Sequence, residues 1–397
     1  VNKRAEIPHA GGQRGLRVSL LGFRGFPDVQ GGVESHAEKL ACALAALGCE
    51  VEAMVRTGYV VKGRRRWRSI TLSRLWAPHI TGIEAFVHTF FGVLHAAFHR
   101  PDILHIHAIG PAFFTPLARA FGLPVVVTYH SRNYEHKKWG RGARALLRLG
   151  ERAGMSFANG RIAVSDGLAK HLADTYRLPV STIPNGIDHP RVVRSAETLA
   201  AFGLASNRYA LMVARIDQDK RQLDLIAAYA RLLPPDWKLA LVGAADYSGA
   251  YARQVAEAAA QTPGVVMLGH QTGAALAELY SHAGVFVLPS RFEGQPIAVL
   301  EAASYGLPVI LSDIAAHREI ALSHARYAKV GDIGALAKHL EEIFAAPETA
   351  RCDPLERARL LARHDWTTIA QRTLAVYCDA LSGAKRGAPA VSVKELS

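Results

Sequence analysis

Val285-Phe286-Val287-Leu288-Pro289-Ser290-Arg291-Phe292-Glu293-Gly294-Gln295-Pro296-Ile297-Ala298-Val299-Leu300-Glu301 carries a fold and a site in one short run. Its opening, Val285 to Leu288, is uninterruptedly apolar, the mark of a strand buried on both faces of a parallel sheet. A glycine-bearing loop follows. A helix is expected to open at Pro296, where the missing N–H costs nothing. Strand, loop and helix start together make an anion site, because unpaired N–H groups and the helix dipole favour negative charge. Glu293 in the loop and Glu301 in the helix bracket that site. Two carboxylates around a phosphate-ready helix suit a ligand with hydroxyls on both sides of its phosphates, as a nucleotide sugar has.

Outward from this run, strand and helix patterns alternate along the chain, which argues for parallel sheets covered by helices. Strands are expected at 17–21, 50–55, 102–107, 124–129 and 161–164. A second set falls at 209–214, 238–242, 265–268, 285–288 and 308–311. Gly22 and Gly243 stand at strand ends of two similar doubly wound halves, and ligands of such sheets bind at the carboxyl ends of the strands. At 397 residues the chain exceeds the size at which one core stops growing, so two domains are expected.

Chemistry-bearing residues gather at those strand ends. Leu211-Met212-Val213-Ala214 delivers Arg215 and Lys220 into a loop. A guanidinium can fork two phosphate oxygens and an ammonium acts as a point charge. Alone, the pair also reads as a solvated charge cluster. Asp217-Gln218-Asp219 has the form of a divalent-cation ligand pair, but it is interleaved with Arg215 and Lys220, which already supply positive charge, so no metal is expected. Ile183-Pro184-Asn185-Gly186-Ile187-Asp188 contains Asn-Gly and reads as a tight turn. Near the start, Gly31-Gly32 leads into a helix from Val33 to Leu47, stopped by Gly48, with Glu34 and Glu38 at its dipole-favoured start. No G-x-G-x-x-G joins strand to helix. Val125 to Tyr129 ends in His130. His105 and His107 share a strand face, but no third metal ligand with suitable spacing is apparent.

Glu-x7-Glu after a Pro-Ser strand end resembles the donor site of retaining glycosyltransferases of family 4, which have the GT-B fold. Arg215 with Lys220, Pro184-Asn185-Gly186-Ile187-Asp188, Gly31-Gly32 and His130 are similar to further family segments, in the same order. The resemblance spans roughly residues 17 to 381. It implies two Rossmann-like domains facing a cleft: an acceptor domain, 1–188, completed by 365–397, and a nucleotide-sugar domain, 189–364. The final helix would cross back to the first domain. It also implies roles. Arg215 and Lys220 would grip the diphosphate, helped by Gly294, Gln295, Pro296 and Ile297. Glu301 would take the ribose hydroxyls, Glu293 the sugar hydroxyls, and Gly269 with His270 the base. Gly31, Gly32 and His130 would lie at the reacting centre or acceptor, His107 on the acceptor side, and Asn185 at the domain junction. His105 is assigned to packing. No cofactor is implied beyond the donor, a UDP- or GDP-linked sugar. Phe23-Arg24-Gly25-Phe26-Pro27 with Gly31-Gly32-Val33-Glu34 resembles a bacterial branch that assembles polysaccharides and surface glycans.

The net charge is +13, and it is uneven. Segments 62–68 and 137–152 mix Arg and Lys with Trp, which suits an anionic membrane surface. Nucleic acid would also suit them, but no nucleic-acid motif is present. The family resemblance adds lipid-linked acceptors, so a cytoplasmic protein peripheral to the inner membrane face is expected. Cys42, Cys49, Cys352 and Cys378 form no C-x-x-C pair, consistent with a reducing compartment. Val1 to Gly15 has no apolar signal core. The longest apolar stretch, Phe86 to Phe98, is too short to span a membrane and is broken by His88, Gly92 and His95. Rival readings are a nucleotide-sugar 2-epimerase of the same fold, a glycoside hydrolase with Glu293 and Glu301 as its carboxylate pair, and a basic binding module with an inactive site.

Overall fold

The computed structural model describes residues 15–385 apart from 79, 81, 137–138, 246–248 and 348–350. The readings of residues 1–14, of Lys137 and Lys138, and of the tail beyond 385 lie outside the described residues.

Two sheets form. The first contains β1 (Arg17–Leu21), β2 (Glu50–Arg56), β3 (Arg66–Trp67), β4 (Ile70–Leu75), β5 (Ile103–His107), β6 (Val125–Tyr129), β7 (Gly160–Ala163) and β8 (Ser181–Thr182), in the order β3-β4-β2-β1-β5-β6-β7-β8. The second contains β9 (Tyr209–Val213), β10 (Lys238–Val242), β11 (Val265–Gly269), β12 (Val285–Leu288), β13 (Val309–Ser312) and β14 (Arg326–Ala328), in the order β11-β10-β9-β12-β13-β14. All pairings are parallel except the short edge pair β3–β4. Strand order reverses between β1 and β5 and again between β9 and β12, so each sheet opens a crevice there at its carboxyl end.

The central strands are buried and mostly Val, Leu, Ile and Phe, as strands covered on both faces are expected to be. β3, β4, β8 and β14 were not expected. β3 lies inside the basic segment, and β8 and β14 are two or three residues long, too short for a period to register. Helix α1 (Gly32–Ala46) begins and ends one residue before the expected Val33–Leu47, and its stop at Gly48 is the expected one. The Gly48 N–H bonds the Ala45 carbonyl at 3.0 Å and the Cys49 N–H bonds the Leu44 carbonyl at 3.1 Å. With Gly48 at φ 91° this is a Schellman ending.

Helices cover both faces of the first sheet. One face packs against α1 and the terminal helix Trp366–Lys385, whose Ile369, Ala370, Tyr377 and Ala380 join that core. The final helix therefore does return to the first domain. The other face packs against helix α2 (Ile83–His99), the 111–120 segment and the helix Arg141–Phe157. The return is anchored at the Asn185 turn: the His364 Nδ1–Asn185 carbonyl bond is 2.6 Å, and Gly186 lies against the Trp366 ring, leaving no room for a side chain.

Candidate active site

On the second domain, the chain leaves β9 through Arg215 and makes a 3-10 turn at Gln218–Lys220. Asp217 caps that turn, accepting the Asp219 N–H at 2.9 Å. Asp219 accepts Arg291 Nε at 3.0 Å and also pairs with His136 of the first domain. Burial pushes its carboxyl up, but these partners outweigh burial and hold it at about 2. The two aspartates are thus a cap and an ion-pair centre. Lys220 Nζ meets Glu293 Oε1 at 2.6 Å, joining two residues that the sequence placed in separate segments. Burial raises the Glu293 carboxyl, while Lys220, then the His317 imidazole, leave it net lowered.

Beyond Glu293 the loop turns through Gly294 and Gln295 into the helix Ile297–Ser304. Pro296 is the cap of this helix, with extended backbone, and not its first residue; the helix opens at Ile297, one position later than expected. Glu301 points back from the second turn and accepts the Tyr280 hydroxyl at 2.9 Å. Desolvation raises Glu301 to about 7, against the pull of that hydrogen bond. Gly269 (φ 65°) ends β11 and its carbonyl takes the Gly243 N–H at 2.7 Å; His270 beside it is exposed.

On the first domain, His130 ends β6 and His107 ends β5, with His107 Nδ1 and His130 Nε2 at 3.2 Å. His36 of α1 is the third member, and one nitrogen from each ring lies within 4.8 Å of the others. Spacing could not show this, because His36 is far away in sequence. Its signal was positional: it sits two turns or less into the helix that follows β1, at the same sheet end. Three imidazoles are a donor set that zinc accepts. Burial lowers all three, His36 to about 4, so they are neutral at physiological pH. His105 lies beside His107, ring centroids 4.2 Å apart, but is tied into the core by the Tyr377 and Thr128 hydroxyls at 2.7 Å each, which is the packing role expected. Gly31 caps α1 with φ 151°, and a Cβ there would strike the Glu34 carboxylate. Glu34 does more than face the dipole: it binds Arg24 Nε at 3.0 Å and fixes the loop. Glu38 accepts the Trp67 indole N–H at 3.0 Å.

The two halves touch. Gly294 is seated on the His130 carbonyl, where any Cβ would collide with backbone. The Asn185 N–H donates to Gln295 Oε1 at 2.6 Å, and Asn185 Nδ2 donates to the Gln295 carbonyl at 2.9 Å. Gln30, just before Gly31, pairs with both the N–H and the carbonyl of Ala244, each at 3.0 Å. Lys220, Glu293, Gly294, Gln295, Asn185 and His130 are therefore one connected group. Gly269 and His270 stand apart on the far strand of the second sheet. Arg291, His136, His317, Tyr280 and His36 belong to the site and were not singled out by sequence.

The basic segments part company. Trp67 of the first packs on the α1 side, with Arg64 and Arg68 over its ring at 5.5 and 5.7 Å. The second enters the helix Arg141–Phe157 on the opposite layer. Among the described residues no helix is long and apolar enough to cross a membrane.

Two family models match the chain: Glycosyltransferase Family 4 over residues 30–191 and Glycosyl transferases group 1 over residues 200–358. The alpha-maltose-1-phosphate synthase of Mycobacterium tuberculosis is 28% identical, over 91% of this chain and 99% of that protein. The phosphatidyl-myo-inositol mannosyltransferase of Mycolicibacterium smegmatis is 26% identical, over 93% and 95%. Among solved structures, the sucrose-phosphate synthase of Thermosynechococcus elongatus superposes with TM-score 0.78 at 22% identity, covering 93% of this chain and all of that one. Anabaena Alr3699/HepE, in complex with UDP and glucose, gives 0.76 at 19%, covering 91% and 99%.

Proposed function

The chain belongs to glycosyltransferase family 4, and from that premise we propose how its residues divide the work of moving a hexose. It is a retaining glycosyltransferase of the GT-B fold that takes its sugar from a nucleotide-sugar donor. The donor, UDP- or GDP-linked, lies at the crevice between β9 and β12. Glu301 receives the ribose hydroxyls. Arg215 and Lys220 hold the diphosphate, together with backbone from Gly294 to Ile297, and Glu293 receives hydroxyls of the sugar. Gly269 and His270 border the base. The acceptor enters past Gly31, Gly32 and His130, while Asn185 positions Gln295.

The observation that carries this reading is the 2.6 Å Lys220–Glu293 pair in the loop whose next residue, Gly294, rests on His130. One contact holds the cation for a leaving diphosphate beside the carboxylate for a sugar, at the mouth of the first domain. Negative charge grows on the diphosphate as the glycosidic bond breaks, and fixed cations in a desolvated cleft stabilise it most at that moment. The acceptor hydroxyl attacks from the face the diphosphate leaves, and a phosphate oxygen takes its proton. His130, neutral by burial, serves as a hydrogen-bonding group and not as a cation. The positive charge of Arg215 and Lys220 makes a divalent metal unnecessary here. The acceptor is a glycan or a lipid-linked glycan at the cytoplasmic membrane face. Support for this is the basic helix Arg141–Phe157, which starts at the carboxyl end of the first sheet, as His130 does.

The test is incubation with UDP- and GDP-hexoses in EDTA, following nucleoside diphosphate release and the anomeric configuration of the product. Release from one donor with retained configuration is expected. Inversion, or an absolute need for divalent metal, would refute the reading.

A further inference from the structure

Helix α2 is built inside out. Its buried side carries Glu84, His88, Thr89 and Gly92, together with Val93 and Ala96. Its solvent side carries Ile83, Phe90, Phe91, Leu94 and Phe98, all exposed, Phe98 by 84%. At about 100° per residue, these five fall within an arc of about 100°. A surface helix that met only water would be expected to turn the other way. Inward, Glu84 and Thr89 have partners. Glu84 pairs with Arg56 at 3.0 Å, and the Thr89 hydroxyl donates to the Ala85 carbonyl at 2.7 Å. Burial lowers His88 to about 3, keeping it neutral. Gly92 admits the Leu21 side chain of β1, so the helix lies close on the sheet. Outward, the rings stay exposed among the described residues; Phe90 touches Phe114 at 6.0 Å with its inner edge, and Trp76, itself exposed, leans on Phe91 at 6.4 Å.

Charge identifies what covers them. The helix Arg141–Phe157 is the neighbour of α2. Both pack on the 111–120 segment, and the Trp139 ring stands against Gly82, where α2 begins. Arg141, Arg144, Arg148 and Arg152 fall within an arc of about 80° on that helix. Leu149 is exposed beside them, and Leu146 further around the helix is exposed as well. The only acid of each helix, Glu84 or Glu151, is buried. An aromatic wedge flanked by arginines, with no exposed acid on either helix, fits a surface that is apolar below and anionic above. A second copy of the chain would bring its own arginines against these, and like charges oppose that contact.

We propose that α2 and the helix Arg141–Phe157 form a docking face for an anionic lipid bilayer, with the α2 rings at the acyl boundary and the arginines among the phosphates. Both helices begin at the carboxyl end of the first sheet, so docking sets the cleft mouth near the headgroups. That last step rests on the lipid-linked acceptor reading; the docking itself does not.

Sedimentation of the full chain with vesicles of phosphatidylcholine, alone or mixed with phosphatidylglycerol, tests it. The wild type is expected to sediment with the anionic vesicles, less so in high salt. Phe91→Ser/Phe98→Ser should lower the partition coefficient about 10-fold or more, given the apolar area two rings bury. Arg141→Gln should lower it about 5-fold at low salt only. These positions are exposed, and nucleotide calorimetry on the same preparations checks that the variants are folded. Wild-type protein that binds nucleotide but stays in the supernatant overturns the docking face and leaves the donor site standing. Unchanged vesicle binding by the Phe variant also overturns it. So does a wild-type dimer without vesicle affinity that the Phe variant converts to monomer, since the face would then belong to a second copy.

Discussion

Lys220 and Glu293 bind each other before any donor arrives, with little of either side chain exposed. Removing one leaves the other as an uncompensated charge. Lys220→Ala is therefore expected to cut kcat by about 10²-fold or more through the lost diphosphate contact, and to lower stability by about 3–5 kcal/mol. Turnover and denaturant midpoint together check this; near-normal turnover would remove Lys220 from the diphosphate. Glu301 makes a separate pH prediction. Its carboxyl sits at about 7 in the free protein. Ribose hydroxyls donate to the charged form, so its pKa falls in the complex. Nucleotide binding should then release a proton below that pH, and affinity should rise with pH and level off above it. Calorimetry in buffers of different ionisation enthalpy reads the release, which should vanish in Glu301→Gln; no release in the wild type would refute the ribose role. The residues legible in sequence, Glu293, Glu301, Arg215 and Lys220, lie in contiguous strand–loop–helix segments. Arg291, His136 and His36 were not legible because their partners come from other segments through the fold.

Helix and strand ends position these residues, and glycine sets several of them. Gly48 has open space around it, so Gly48→Ala meets only the backbone penalty of φ 91°. About 1 kcal/mol should be lost from the first domain, with kcat unchanged; a large activity loss would mean that α1 had shifted at its site end. Gly294→Ala differs, because its Cβ would meet the His130 carbonyl. The loop and the first domain must separate, so kcat/KM should fall while far-ultraviolet dichroism stays the same. Wild-type kinetics in that variant would show that the contact is dispensable. Several of the strands that sequence located carry continuous apolar runs, such as Val285–Leu288, whereas others, such as Glu50–Arg56, are interrupted by polar residues. Helix α2 was seen only as an interrupted apolar stretch, because the direction of its apolar face depends on what the sheet accepts.

Across the whole molecule, the terminal helix ties the chain's end to its beginning. Tyr377 is fully buried against α1 and bonds His105 at 2.7 Å. Tyr377→Phe leaves one buried imidazole nitrogen unpaired and should cost about 1–3 kcal/mol without changing nucleotide affinity; an undiminished denaturation midpoint would contradict that role. The two-sheet plan was legible because strand–helix alternation repeats in both halves. How the halves meet, through Gln30–Ala244 and Asn185–Gln295, was not legible, since amide pairings leave no periodic trace. The central claim is that the crevice between β9 and β12 holds the donor of a metal-independent hexosyl transfer. Titration calorimetry of the chain against UDP, GDP, dTDP and NAD, with EDTA present, tests it most directly. Binding of a single nucleoside diphosphate is the expected result; binding of none, or of NAD alone, would contradict it.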